Sequence, residues 1–101
     1  MAVKDLVETT INDNTIAIFS KSYCPYCKRA KALITSKFPN VPTKIYELDE
    51  MSEGSDIQDY LTEKTGQRTV PNIFINKKHV GGCDAVTALD SQGQLAKLVG
   101  V

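Results

Sequence analysis

Cys24 and Cys27 are separated by two residues, Pro25 and Tyr26. A cysteine pair at this spacing can exchange disulfides, chelate a metal or sit inert in a core. The neighbours weigh between these uses. Lys, Tyr and Pro do not suit a core, where apolar residues belong. A zinc site would have to recruit Cys83 and His79, a permitted ligand set, but one that pulls the far end of a hairpin onto the cysteine-bearing helix. His79 reads instead as a hairpin surface residue. Disulfide exchange fits the surroundings best. Pro25 at the first position of a helix loses no hydrogen bond, which makes Cys24 the N-cap. The free amides of Tyr26 and Cys27 then point at the Cys24 sulfur and, with the helix dipole, favour its thiolate. Lys21 and Lys28 add positive potential. Cys27, one turn into the helix, is expected to stay a buried thiol of higher pKa that can resolve a mixed disulfide formed at Cys24.

The elements that must position this pair follow from hydrophobic spacing. Val3, Leu6, Val7 and Ile11 predict a helix over about 3–12. Thr15–Ser20 is β-branched and apolar to both sides, as suits a central strand. The cysteine helix continues to about Lys37, with Cys27, Ala30, Ile34 and Phe38 on one stripe. Thr43–Leu48 reads as a strand, and strand, helix and strand in series favour a right-handed parallel crossover. A helix over about 55–64 carries Ile57, Tyr60, Leu61 and Lys64 on one stripe, with Ser55 and Gln58 as a capping box and Gly66 as its stop. Asn72–Asn76 and Lys78–Val80 form a hairpin, although its Asn76-Lys77 turn lacks the usual glycine. A last helix begins near Asp84 and is interrupted near Gly93. The order αβαβαββα predicts an α/β fold of thioredoxin-like layout, a four-stranded mixed sheet flanked by helices on both faces.

The chain has 101 residues and neither linker nor repeat, so residues 1–101 form one domain. Hydrophobic residues make up 42% and charged residues 24%, which excludes a disordered tail, a collagen-like repeat and a disulfide scaffold. The longest apolar run, Ile16–Phe19, falls far short of the ~20 residues that span a bilayer, so no membrane partner is expected. Net charge is zero, which argues against nucleic acid. The two signs are nevertheless segregated. Six bases and no acid lie between Asn14 and Tyr46, and seven acids and no base between Glu47 and Glu63. The N-terminal residues form neither a signal nor a transit peptide, so a cytoplasmic location is expected. Three cysteines in a reducing compartment point to reactive thiols rather than structural bridges.

Three segments in this order resemble the glutaredoxins of the dithiol, Cys-Pro-Tyr-Cys type: Ser20–Cys27, Thr69-Val70-Pro71 after Gly66-Gln67-Arg68, and Gly81-Gly82-Cys83-Asp84. The resemblance runs nearly end to end. It differs from thioredoxin, which has Trp-Cys-Gly-Pro-Cys at this place, whereas this chain has no tryptophan. It implies glutathione as co-substrate and electron transport from glutathione to disulfides. Glutathionylated and disulfide-containing proteins become the partners, and the chain acts as a monomer without a metal. Lys21 would pair with the glycine carboxylate of glutathione, aided by Gln67 or Arg68, and Tyr26 would pack beside the tripeptide. Thr69-Val70-Pro71 resembles the family's cis-proline turn, leaving the Val70 N–H and C=O to pair with the cysteinyl backbone. Gly82, Cys83 and Asp84 would form a nest for the γ-glutamyl carboxylate, with Asp84 capping the helix and taking the ammonium. Members often carry Ser-Asp or Asp-Asp after the cysteine position, whereas this chain has Asp84-Ala85, so the second acid is missing. Cys83 reads as a packing residue, with a third reactive thiol as the alternative. Some glutaredoxins instead hold a [2Fe–2S] cluster between subunits, often with Gly or Ser after the nucleophile; Pro25 here stiffens that position.

Overall fold

β1 (Ile16–Ser20) is buried along its whole length, as a strand covered on both faces must be. The structure, a computed structural model, describes residues 2–101. β1 pairs in parallel with β2 (Thr43–Glu47) and antiparallel with β3 (Asn72–Ile75), which pairs antiparallel with β4 (Lys78–Gly81). The sheet order is β2-β1-β3-β4, a four-stranded mixed sheet as expected. The helices are α1 (Val3–Asp13), α2 (Pro25–Lys37), α3 (Gly54–Thr65), α4 (Cys83–Ser91) and α5 (Leu95–Val99).

The strand period of two divides the core. Ile16, Ile18, Ile73 and Ile75 pack with Ala30 and Ile34 of α2, Val86 of α4, and Leu95 and Val99 of α5. Ala17, Phe19 and Phe74 face the other way, onto Val7 and Ile11 of α1 and Ile57 and Leu61 of α3. Each of these fully buried Ile and Phe side chains contributes about 1.5–3 kcal/mol relative to exposure. Phe19 and Phe74 also meet edge to face, with centroids 6.1 Å apart.

Several boundaries differ from expectation for identifiable reasons. β2 stops at Glu47, and a 3-10 turn (Leu48–Glu50) follows where the strand was expected to reach Leu48. The Ser55/Gln58 capping box does not form. α3 starts at Gly54, its N-cap Glu53 makes no side-chain capping bond, and Gln58 donates to the Arg68 carbonyl at 2.7 Å. Gly54 permits this earlier start, because a Cβ there would lie 1.8 Å from the Leu48 carbonyl oxygen. Asn76 and Lys77 both adopt positive φ (49° and 69°), as a type I′ hairpin turn requires. Asn76 Nδ2 donates to the Leu98 and Val99 carbonyls at 2.7 and 3.1 Å, anchoring that conformation without glycine. The last helical stretch divides at Gly93 into α4 and α5.

The topology places the functional segments together. α2 departs from the carboxyl end of β1. Antiparallel β3 begins at that same edge, and β4 returns to it before α4 departs. Residues 21–27, 69–72 and 81–85, far apart in sequence, therefore converge on one edge of the sheet.

Candidate active site

Cys24 is the N-cap of α2, with Pro25 at the first helical position, and its sulfur accepts the Cys27 N–H at 3.5 Å. The Cys24 side chain is partly exposed, while Cys27 is wholly buried. Burial works against the Cys24 thiolate. The Cys27 amide and thiol, the Tyr26 amide and the Lys31 ammonium outweigh it and bring the Cys24 thiol below its ordinary value. Burial pushes the Cys27 thiol up, although its sulfur accepts the Lys21 N–H at 3.5 Å. The two thiols thus part in the directions expected from the sequence. The leading charge acting on Cys24 is that of Lys31. Lys31 stands one helical turn beyond Cys27, on the same face.

The loop between β1 and α2 is tied to the end of β2. Ser20 donates to Glu47 Oε1 at 2.5 Å, and Lys31 Nζ meets Glu47 Oε2 at 2.5 Å. Two residues on, Asp49 accepts both the Ser22 N–H at 2.9 Å and the Ser22 hydroxyl, and the Ser22 hydroxyl holds its carboxyl below the usual range. The Ser20–Glu47 pair is a register pair of the parallel ladder, and Ser22–Asp49 extends it by one side-chain rung. These acids were not singled out in the sequence, because strand register brings them to the loop.

Beside Cys24 lies a groove of about 470 Å³, within the range of small-molecule sites. It is lined by Tyr26, by Gln67 with Thr69-Val70-Pro71, and by Gly82–Ala85. The Val70–Pro71 bond is cis, as expected. The Cys24 sulfur stands 3.9 Å from the Val70 carbonyl oxygen. Among the described residues neither the N–H nor the C=O of Val70 has a backbone partner. Tyr26 is 54% exposed, with the Arg29 guanidinium 5.5 Å from its ring centre.

Eight of the ten expected binding residues line this groove: Tyr26, Gln67, Thr69, Val70, Pro71, Gly82, Cys83 and Asp84. Lys21 and Arg68 do not. Arg68 is ion-paired with Asp59 at 2.8 Å on the exposed surface. Gln67 Nε2 donates to the Thr69 and Pro71 carbonyls, both at 3.0 Å, so it braces the proline turn instead of offering its N–H groups to a carboxylate. Asp84 does not cap α4. Gly82 is the N-cap with no side-chain bond, which leaves the first-turn amides open to the groove. Cys83 is buried among core residues with Thr87 Oγ1 3.9 Å from its sulfur, the packing role favoured by its sequence context. His79 is exposed and lies against Phe74 at 5.3 Å, on the opposite side of the sheet from the cluster that holds Cys83.

Fold and site together define a thiol–disulfide oxidoreductase with an activated cysteine at the mouth of a groove. The glutaredoxin family profile matches residues 16–80. Glutaredoxin-1 of Rhizophagus irregularis is 58% identical over 97 residues, covering 96% of this chain and 94% of that protein. A glutaredoxin of Ricinus communis is 52% identical over 88% of this chain and 85% of its own. The crystal structure of a buckwheat glutaredoxin–glutathione complex superposes with a TM-score of 0.89 at 40% identity, covering 96% of this chain and 86% of that one. The chain belongs to the glutaredoxin family of glutathione-dependent thiol–disulfide oxidoreductases.

Proposed function

We propose that this chain reduces protein–glutathione mixed disulfides through Cys24 alone and protein disulfides through Cys24 and Cys27 together. The observation that carries this reading is the Cys24 sulfur, partly exposed, served by helix amides and set at the mouth of the groove. In the monothiol route the Cys24 thiolate attacks the glutathione sulfur of a mixed disulfide, and the substrate leaves as its thiolate. A second glutathione then takes the first as glutathione disulfide, freeing Cys24. In the dithiol route Cys24 attacks a protein disulfide, and Cys27 closes the Cys24–Cys27 disulfide with release of the reduced protein.

The groove offers matching contacts. The N–H and C=O of Val70, which have no backbone partner among the described residues, suit the cysteinyl backbone in the manner of an added strand. The open amides at the start of α4 suit the γ-glutamyl carboxylate, with Asp84 beside them for the ammonium. The glycine carboxylate falls to Lys21, or to Arg68 if it leaves Asp59, an exposed pair of the kind worth at most about 1 kcal/mol. No resident metal enters this reading: Pro25 occupies the helix start, and His79 and Cys83 are assigned no common ligand. Cytosol, with its reducing poise, suits three free thiols, and a monomer suffices because one chain supplies the whole groove.

The test is to treat the Cys27→Ser variant with glutathione disulfide and locate the adduct by peptide mass spectrometry. One glutathione on Cys24 is the expected result. An unmodified Cys24, or an adduct on Cys83 alone, would contradict the assignment.

A further inference from the structure

Residues 67–71 lead from α3 toward β3 and, among the described residues, make no backbone–backbone hydrogen bond. Side chains hold them instead. Gln58 Nε2, from α3, donates to the Arg68 carbonyl at 2.7 Å, and Gln67 Nε2 donates to the Thr69 and Pro71 carbonyls at 3.0 Å each. Of the carbonyls from Arg68 to Pro71, that of Val70 is the one no glutamine takes, and it faces the Cys24 sulfur at 3.9 Å. Both donors of the Gln67 amide are thereby engaged. Its root is fixed as well: the Gln67 N–H donates to Thr65 Oγ1 at 3.0 Å, and the Thr65 hydroxyl donates to the Leu61 carbonyl of α3 at 2.7 Å. The Thr69 carbonyl and the Val70 N–H belong to one trans peptide and point in opposite directions, so holding the first aims the second.

The same side chain reaches the other wall of the groove. A Cβ on Gly81 would lie 3.8 Å from Gln67 Oε1, and one on Gly82 would lie 3.4 Å from the Pro71 carbonyl oxygen. Gln67 thus stands between the turn that carries Val70 and the glycine pair that leads into the open amides of α4. We propose that Gln67 is a positioning residue for glutathione, setting the Val70 peptide groups and the α4 amides where one glutathionyl group meets both at once. The proposal rests on the contacts read above for Val70 and the start of α4. Gln67 itself touches neither the tripeptide nor the reacting sulfurs. Its effect is preorganisation, since a ligand that must satisfy two subsites together loses affinity when one of them is free to shift.

Three disulfides test this in single-turnover reaction with the reduced protein, followed by release of the first thiol. Glutathione disulfide uses both subsites and carries the glycine carboxylate. γ-Glutamylcysteine disulfide uses both and lacks the glycine. Bis(2-hydroxyethyl) disulfide has no peptide and uses neither. Gln67→Met keeps the length of the side chain and removes its donors. Its second-order rate constant is expected to fall about tenfold with each of the first two, the size of one or two hydrogen bonds' net worth, and to be unchanged with the third. A loss confined to glutathione disulfide would make Gln67 a direct contact of the glycine carboxylate and overturn the proposal. So would an equal loss with all three, which a disturbed nucleophile or fold would give, or no loss at all, which a space-filling role would give. In the unsubstituted protein, glutathione disulfide that reacts no faster than bis(2-hydroxyethyl) disulfide would overturn the reading of the groove itself, and the role of Gln67 with it.

Discussion

Cys24 and Cys27 share one turn of α2 and meet opposite surroundings. The first caps the helix at the edge of a groove and the second faces the core below it. Alkylation rates should therefore reach half-maximum below the ordinary thiol value of ~8.5 for Cys24, measured in Cys27→Ser, and above it for Cys27, measured in Cys24→Ser. The sign follows from the shifts: a lowered pKa leaves more thiolate at neutral pH, a raised one less. Coincident profiles would contradict the division of roles. Much of this was legible in the sequence, because Cys-Pro at a helix start fixes which sulfur the amides reach. The charges were less so. Lys21 and Lys28 are near in sequence, but the leading charge on Cys24 is that of Lys31, a turn beyond Cys27. Nor does any local pattern reveal that Gln67 turns its amide back onto its own loop, since that depends on how residues 67–71 fold.

At the scale of elements, α1 and α3 are joined by Glu8, which accepts the Tyr60 hydroxyl at 2.6 Å and pairs with Lys64 at 2.8 Å. Lys64, then Tyr60, hold the Glu8 carboxyl below its usual range, and Glu8 in turn pushes the Tyr60 phenol up to about 12. A depressed carboxyl stabilises the fold above its unfolded pKa, and that stability fades as pH falls through the folded one. A raised phenol stabilises below its unfolded value of ~10 and fades as pH rises through the folded one. The urea midpoint of the unsubstituted protein should thus exceed that of Glu8→Gln near pH 6, and the gap should close in acid. Tyr60 should ionise at about 12 in an absorbance titration. A constant gap across pH would contradict the tie. The stripe Ile57, Tyr60, Leu61 and Lys64 was readable at helical spacing. Its partner Glu8 was not, because only the packing of α1 against α3 brings them together.

Over the whole molecule the segregated charges become a separation across the sheet. α2 carries Lys28, Arg29, Lys31 and Lys37 on the side of one core cluster, while Asp56, Asp59 and Glu63 ride on α3 with the other. Cys24 opens beside the basic end, next to the exposed rings of Tyr23 and Tyr26. Such a surface attracts acidic partners over roughly the ~8–10 Å that salt leaves unscreened. Glutathionylated peptides with acidic flanks should be reduced several-fold faster than basic ones at low ionic strength, and the difference should shrink in high salt. Equal rates for the two peptides at low salt would contradict this. The charge runs were plain in the sequence, and the crossover from β1 through α2 to β2 decides on which face each one lies.

The most direct test of the central claim is glutathione-coupled reduction of a small mixed disulfide by the unsubstituted protein, Cys24→Ser and Cys27→Ser. The account predicts that Cys24→Ser is inactive, because a serine hydroxyl is no nucleophile at neutral pH, while Cys27→Ser keeps the activity. Equal loss in both variants, or activity that survives without Cys24, would contradict it.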